Sequence, residues 1–597
     1  MPLLKLPSRG LTVITSAVFI CFLFTAMFSR LQSRPRLMNT AMSASYVEVR
    51  EINKNDSAEF RTTKITTAAA KEKDCKPDAI SPTEMPSAIH KKQANGRDLH
   101  YPLMLYEGFK GFASAKEPRQ ILGAYEGVAN IVSFIWCGKN RLFEFKHMLS
   151  VLSALKVQQP LKVNLFYWPG SKPQEDLYNS WLSELKETFF NFKVSKIPHD
   201  IQEPVTCADT NHRANTISSL IKSMPYGGIF MDENILLQHP VDQYRKKDTV
   251  FFRSDTTTAL VIGRNITLSQ IIRPMDTISC VSHDQIAGNP RAACLSMEIE
   301  TLYPRDIMTK SGAFERITRK LFYGSEEVKE PRFSLSDPIP NIGHFYLLGE
   351  NKISFFIYLS IYSMISVLQV DTVYLHGDYE PTGHFWEKLL KTEKIKFIFC
   401  PPMETIFSNT ISSDDKFHGK DILSVYFLYL YGGVFIDWDA IFTKPLDDAV
   451  RGYEVVLGYD WFIPEESPTF PEVINPGVIA AKPYSVFISM WLEKYKEFGQ
   501  KGGFYYTGLL VPYKLYERYP ETVKLDKKFQ VICWKKTCHP PWMEGYNRPA
   551  FHSEFNWQNV YSVHFTFPDP HEFYTINDLR NSSSMIAQMG QKVMGWT

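Results

Sequence analysis

The sequence predicts an α/β protein: two tandem strand–helix–strand units, each with a largely parallel sheet, behind an N-terminal apolar segment. Three observations carry that expectation. Strands rich in β-branched and aromatic residues alternate with apolar helical stretches. The same series of segments occurs twice in the same order. A run without charge lies near the N-terminus, followed by a long polar stretch.

The chain has 597 residues, more than one ordinary domain holds, and its 44% hydrophobic content can fill more than one core. Lys and Arg number 66 against 64 Asp and Glu, a formal net charge of +2. Nucleic-acid binders normally carry a basic excess or stripe, so nucleic acid is not an expected partner.

Residues 1–10 read as a short cytoplasmic tail. "LTVITSAVFICFLFTAMF", Leu11 to Phe28, is uncharged. Its length is near the lower limit for a bilayer span, roughly 17–25 residues. Basic residues flank it on both sides (Lys5 and Arg9 before; Arg30, Arg34 and Arg36 after), so charge does not set its orientation. It reads as a signal anchor or as a cleaved signal peptide. The absence of a convincing small-x-small site near "FTAMFS" favours the anchor. Either reading sends the remainder into the secretory pathway. There, some of the 9 scattered cysteines are expected to form disulfides, and the sequons at Asn55, Asn265 and Asn581 become glycosylation candidates. Residues 29–120 are mostly polar and read as a flexible lumenal stem.

The first unit is expected at 125–332 and the second at 335–597. "NIVSFIWCGKN" (130–140) matches "NIGHFYLLGEN" (341–351), each a buried strand and turn. Helical stretches follow, "FEFKHMLSVLSAL" and "SFFIYLSIYSMISVL", then second strands in "LKVNLFYWPG" and "VDTVYLHGDY". Further on, "YGGIFMDENILLQHPVD" (226–242) matches "YGGVFIDWDAIFTKPLD" (431–447) without a gap.

The second of these stretches is where chemistry is expected. "DILSVYFLYLYGG" reads as a buried helix from Asp421 to about Leu430, ended by Gly432 and Gly433. "VFI" is then a short buried strand, with Asp437 and Asp439 at or just past its end. On extended backbone these two point to one side. Paired carboxylates repel unless a cation joins them, and their oxygens suit Mn²⁺ or Mg²⁺. Ligands of open α/β sheets bind beyond the carboxyl ends of strands, where this pair falls. A metal there would clamp a diphosphate. The competing reading is a solvated turn, the usual fate of a bare D-x-D; the glycine pair and apolar strand ahead of it argue for function.

"KDILSVYFLYLYGGVFIDWDAI" resembles the DXD region of family-32 glycosyltransferases, the group of α-1,4-galactosyltransferase and initiating α-1,6-mannosyltransferase types. "IPNIGHFYLLG", "NPGVIAAKP", "YTGLL" and "YSVHF" resemble further family segments in the family order. The resemblance covers Pro338 to about Glu572 and is weaker over Gly127 to Arg332. It implies a GT-A, Rossmann-like fold, a nucleotide-sugar donor, a glycan or glycolipid acceptor, Mn²⁺ held through the DXD, and retention of anomeric configuration. It also implies a type II protein anchored in the Golgi membrane. By resemblance, Asp437 contacts ribose or metal, Asp439 ligates metal, His564 lies near metal or diphosphate, and Asp421 lies near the nucleotide. Gly432, Gly433 and Trp438 fall in the donor region, and Asn475 is a donor or acceptor contact. Against these stand plainer readings: a lone histidine is more often structural, "NPG" is often only a turn, and Trp438 is a packing or a sugar-facing aromatic. The family has arginine three positions after the aspartate at 421; here Ser424 stands there.

The first unit departs further. Asp232 remains, but Asn234 replaces the second carboxylate, Thr216 stands in the position of Asp421, and Thr257 roughly in that of Asn475. It reads as a degenerate glycosyltransferase-like unit, against the rival of a second active site using another cation. For the whole chain, the alternatives to a glycosyltransferase are a glycan-binding pseudoenzyme and a divalent-dependent phosphohydrolase.

Overall fold

In the computed structural model the described residues are 127–198, 201, 209–253, 257–272, 278–349, 351–403, 405–407, 409–411, 416–460, 469–497, 505–534, 537–538, 556–566 and 570–596. All described residues lie within Thr67–Thr597. The apolar run 11–28, the stem 29–120 and Asn55 lie outside them. Among the described residues no helix is long and apolar enough to cross a membrane.

Two seven-stranded sheets organise the structure. The first runs Phe192–Lys196, Lys162–Tyr167, Ile131–Trp136, Gly228–Met231, Thr258–Gly263, Thr249–Phe252, Ile278–Ser279 in spatial order. The second runs Ile395–Phe399, Thr372–Gly377, Ile342–Leu347, Gly433–Ile436, Ile474–Ala481, Val455–Tyr459, Lys524–Leu525. The orders coincide strand for strand. In both, the first four strands are parallel, the fifth is antiparallel to its two neighbours, and the last pair is parallel. The architecture is thus α/β with mixed, mainly parallel sheets.

The central strands are buried on both faces, which is why they read as continuous apolar runs rather than alternating ones. The Phe355–Ser366 and Lys416–Tyr431 helices belong to the second sheet, and the first of these has ten buried residues over its twelve. One apolar cluster contains side chains of both halves, including Trp181 and Phe322 from the first and Trp491 and Tyr513 from the second. At the seam the buried Glu517 accepts hydrogen bonds from Tyr178 (2.6 Å) and Tyr513 (3.1 Å), and Arg305 pairs with Glu472 at 3.2 Å. Cys280 and Cys294 form a disulfide in the first half. Asn265 and Asn581 are both exposed.

Candidate functional site

The helix before the glycine pair spans Lys416–Tyr431, starting earlier than the sequence pattern suggests. Gly432 (φ 63°) and Gly433 (φ 101°) turn the chain into the Gly433–Ile436 strand. A Cβ on Gly433 would come within 2.6 Å of the Ile342 carbonyl oxygen, so both conformation and close approach demand glycine there.

The strand ends at Ile436, and Asp437 and Asp439 lie in the turn that follows. This corrects one expectation: their convergence does not come from alternation along extended backbone. The turn is built by the Ala440 N–H donating to the Asp437 carbonyl at 3.2 Å and is tied to its neighbours at both ends. The Asp437 N–H donates to Gly477 O (2.7 Å), Ser360 Oγ donates to Asp437 O (3.0 Å), and the Phe565 N–H donates to Asp439 O (2.7 Å).

His564 comes from the distant Ser562–Thr566 strand, where it pairs with Ala440. That register brings it to the carboxylates: ligand atoms of Asp437, Asp439 and His564 all lie within 4.8 Å of one another. His564 Nε2 is 2.7 Å from Asp439 Oδ1. That oxygen is buried and has no partner with hydrogen-bond alignment, so the two atoms are close without satisfying one another. Two carboxylates and an imidazole form a donor set suited to Mn²⁺ or Mg²⁺, and an oxygen left in this condition fits a shared cation. On that test the residues present fit a divalent ion.

A relay holds the imidazole. The Gly477 N–H and Gln530 Nε2 both donate to Asn475 Oδ1 at 2.7 Å, and Gln530 Nε2 lies 3.0 Å from His564 Nδ1. A Cβ on Gly477 would come within 2.5 Å of the ring, so glycine there leaves room for the histidine. With its Nε2 toward the ring, Gln530 makes Nδ1 the acceptor and leaves the proton on Nε2, facing Asp439. With Oε1 toward the ring, Nε2 is bare for a metal.

Sequence reasoning missed Lys420. Its ammonium is 2.5 Å from Asp437 Oδ2 and 3.6 Å from Asp421 Oδ1. Asp437 Oδ1 accepts the Trp438 N–H at 2.8 Å. Burial pushes the Asp437 carboxyl up, but Lys420 and His564 outweigh it and the net shift is downward. Burial dominates at Asp421, raising its carboxyl to about 7. Burial alone would lower Lys420 and His564; their carboxylate neighbours hold both above their ordinary values. The other signals were partly visible: Lys420 adjoins Asp421 in "GKDIL", whereas Gln530 enters through sheet pairing that no local pattern marks.

The structure therefore brings Asp437, Asp439 and His564 together, with Asn475 one relay behind and Asp421 beside Lys420. Trp438 is half-buried and packs against the second core, the packing alternative. Ser424 donates its hydroxyl to the Asp421 carbonyl at 2.8 Å.

The corresponding place in the first half is filled differently. Asp232 is ion-paired with Arg213 at 2.7 Å and with Arg253. Glu233 is paired with Arg141 at 2.8 Å and Arg213 at 3.4 Å. Asp232 Oδ1 also accepts the Asn234 N–H at 2.9 Å. Ser296 stands opposite Ile235 where His564 stands opposite Ala440. Gly263 pairs with Gly228 and Ala481 with Gly433; counting back along each strand puts Thr257 where Asn475 stands. Thr216 is buried and donates to the His212 carbonyl at 3.0 Å.

No family model matches the chain. Over 186 residues, 30% of this chain, it is 28% identical to the Glucan organizing enzyme 1 of Cryptococcus neoformans var. grubii serotype A; the match spans about half, 47%, of that relative. Among solved structures it is similar to the PaToxG glycosyltransferase, with 19% identity, 31% of this chain, 70% of that one and a TM-score of 0.22. It is also similar to the galactosyltransferase LgtC in complex with donor and acceptor sugar analogs, with 12% identity, 42% of this chain, 95% of that one and a TM-score of 0.27. These solved neighbours are glycosyltransferases by name, and the curated relative is named as an enzyme.

Proposed function

We propose that the chain is a metal-dependent glycosyltransferase of the Golgi lumen. It moves a sugar from a nucleoside diphosphate sugar to a hydroxyl of a glycan or glycolipid, with retention of anomeric configuration. Its second half carries the chemistry. The convergence of Asp437 and Asp439, from the turn after one strand, with His564, from within another, carries this reading. The family-32 resemblance of the same half and a relative named as a glucan organizing enzyme support it.

A bound Mn²⁺ or Mg²⁺ would supply Lewis-acid charge at the departing diphosphate. Asp437, Asp439 and His564 would hold it. Asn475 and Gln530 orient the imidazole, and Asp421 faces the nucleotide; the Gly432–Gly433 turn lies at the other end of the Gly433–Ile436 strand, against Pro483 and Ile342, and sets the start of that strand instead. The uncharged run from Leu11 to Phe28 anchors the chain in the Golgi membrane, with both sheets in the lumen.

The first half, 125–332, is a degenerate tandem copy without metal-dependent catalysis. The shared strand order supports the duplication. The ion pairs around Asp232 favour the non-catalytic reading, because guanidinium groups stand where a cation would be needed.

The test is transfer by the full-length chain from a panel of nucleoside diphosphate sugars to glycan and glycolipid acceptors with Mn²⁺, reading the product anomer by NMR. Acceptor-linked product of the donor's anomeric configuration is expected. Release of sugar to water alone would move the site to the phosphohydrolase class. Absence of any donor binding would leave the pseudoenzyme.

A further inference from the structure

Lys420 is a lysine in an expensive position. It is only 7% exposed, and its ammonium sits among the carboxylates of the site rather than reaching solvent. A buried ammonium persists where opposite charges and hydrogen bonds hold it. Here the nearest of those charges is Asp437, and a divalent ion needs the same carboxylate. Asp437 has two oxygens: Oδ1 is engaged by the Trp438 N–H, and Oδ2 carries Lys420. Each oxygen has a second lone pair, so an ion ligated by Asp437 comes to lie beside the ammonium, and the two cations repel.

An ammonium on a flexible four-carbon stem can shift its partner without moving the helix that bears it. One turn further along, Ser424 is on the same helical face, but its hydroxyl is committed to the Asp421 carbonyl and brings no charge. Among the described residues Asp421 and Asp439 are further carboxyls whose charge acts on Lys420. Asp421 lies farther from the ammonium than Asp437 does, at 3.6 Å. An anion arriving with the metal would offer that ammonium a full opposite charge.

We propose that Lys420 is the donor site's own cation: it pairs with Asp437 until a divalent ion takes that carboxylate, and then pairs with the diphosphate of the nucleoside diphosphate donor. Lys420 and the metal would thus act in sequence on one carboxylate and together on the leaving group. This rests on the donor reading of the site given above.

The experiment measures binding to the full-length chain by calorimetry: Mn²⁺ alone, then UDP and GDP at saturating Mn²⁺. Wild type, Lys420→Met and Lys420→Arg are compared, with circular dichroism as the folding control. The expected result is that Lys420→Met binds Mn²⁺ as tightly as wild type or more tightly, because a competitor for Asp437 is gone. Its nucleotide affinity falls about tenfold or more, the scale of a lost charge-assisted contact, and Lys420→Arg keeps most of it. If Lys420→Met binds the nucleotide as wild type does, the assignment is overturned while the donor site stands. If Lys420→Met does not fold, Lys420→Gln, which removes the charge but stays polar, takes its place: lost UDP and GDP affinity at saturating Mn²⁺ supports the assignment, and wild-type affinity overturns it. If wild type binds neither nucleotide with Mn²⁺, the donor reading itself fails and this assignment with it.

Discussion

His564 Nε2 lies 2.7 Å from Asp439 Oδ1, although the two residues are far apart in the chain and meet through the pairing of His564 with Ala440. In the first half the same pairing position holds Ser296 against Ile235. One register thus completes the Asp437–Asp439–His564 cluster in one half and leaves the matching place without a histidine in the other.

The two halves should respond differently to the same change. Asp232→Asn is expected to leave Mn²⁺ affinity unaltered, because Arg213 and Arg253 already neutralise that carboxylate. Removing a charge from this group should instead cost stability, since Arg213 and Arg253 lose their shared partner; a lower denaturation midpoint with intact Mn²⁺ titration checks both parts. Loss of a Mn²⁺ equivalent on Asp232→Asn would revive a second active site.

Gln530→Leu removes the partner of the imidazole without touching a carboxylate. Hydrogen-bond partners of metal ligands typically contribute about 10–100-fold in metal affinity. A drop of that order in Mn²⁺ binding, with the fold retained by circular dichroism, is expected; unchanged affinity would mean that the Asn475–Gln530–His564 relay serves packing alone.

Gly477→Ala places a methyl group within 2.5 Å of the His564 ring. The ring must move, so weaker Mn²⁺ binding is expected. Gly433→Ala acts differently: at φ 101° and 2.6 Å from the Ile342 carbonyl it strains the backbone itself. Strained positions of this kind cost on the order of 1–3 kcal/mol, and Gly433→Ala should therefore lower the denaturation midpoint. A Gly433→Ala chain as stable as wild type would contradict the turn's role.

The seam between the halves predicts a pH response. Burial raises the Glu517 carboxyl to about 7, against the hydrogen bonds from Tyr178 and Tyr513 and the charge of Arg305, which pull the other way. A raised carboxyl binds its proton more tightly in the folded chain. Its contribution is therefore complete below the unfolded value near 4.5 and is lost as pH rises through about 7. The shift corresponds to roughly 3 kcal/mol. Denaturation midpoints should fall across that window in wild type and less steeply in Glu517→Gln. Parallel curves for the two chains would exclude Glu517 as the source.

Most of the fold was open to sequence reading because its signals are local. The repeated "YGG" stretches mark a helix end and a buried strand in both halves, and both strands occupy the fourth place in their sheets. Asp437, Asp439 and Asn475 were visible because each adjoins a turn or strand signal. What escaped depends on tertiary placement. Lys420 is an ordinary lysine until the helix is set against the Asp437 turn. Arg213 and Arg253 are far apart in sequence and meet only at Asp232. The geometry of Asp437 and Asp439 was misread for a related reason: the strand ends one residue before the pair, and the turn, not pleating, sets their directions.

The most direct measurement is equilibrium binding of a panel of nucleoside diphosphate sugars to the full-length chain, with and without Mn²⁺, for wild type and Asp439→Asn. The account predicts that at least one donor binds wild type only when Mn²⁺ is present and that Asp439→Asn abolishes this binding. Donor binding that is independent of both the metal and Asp439, or no binding by a folded wild-type chain, would contradict it.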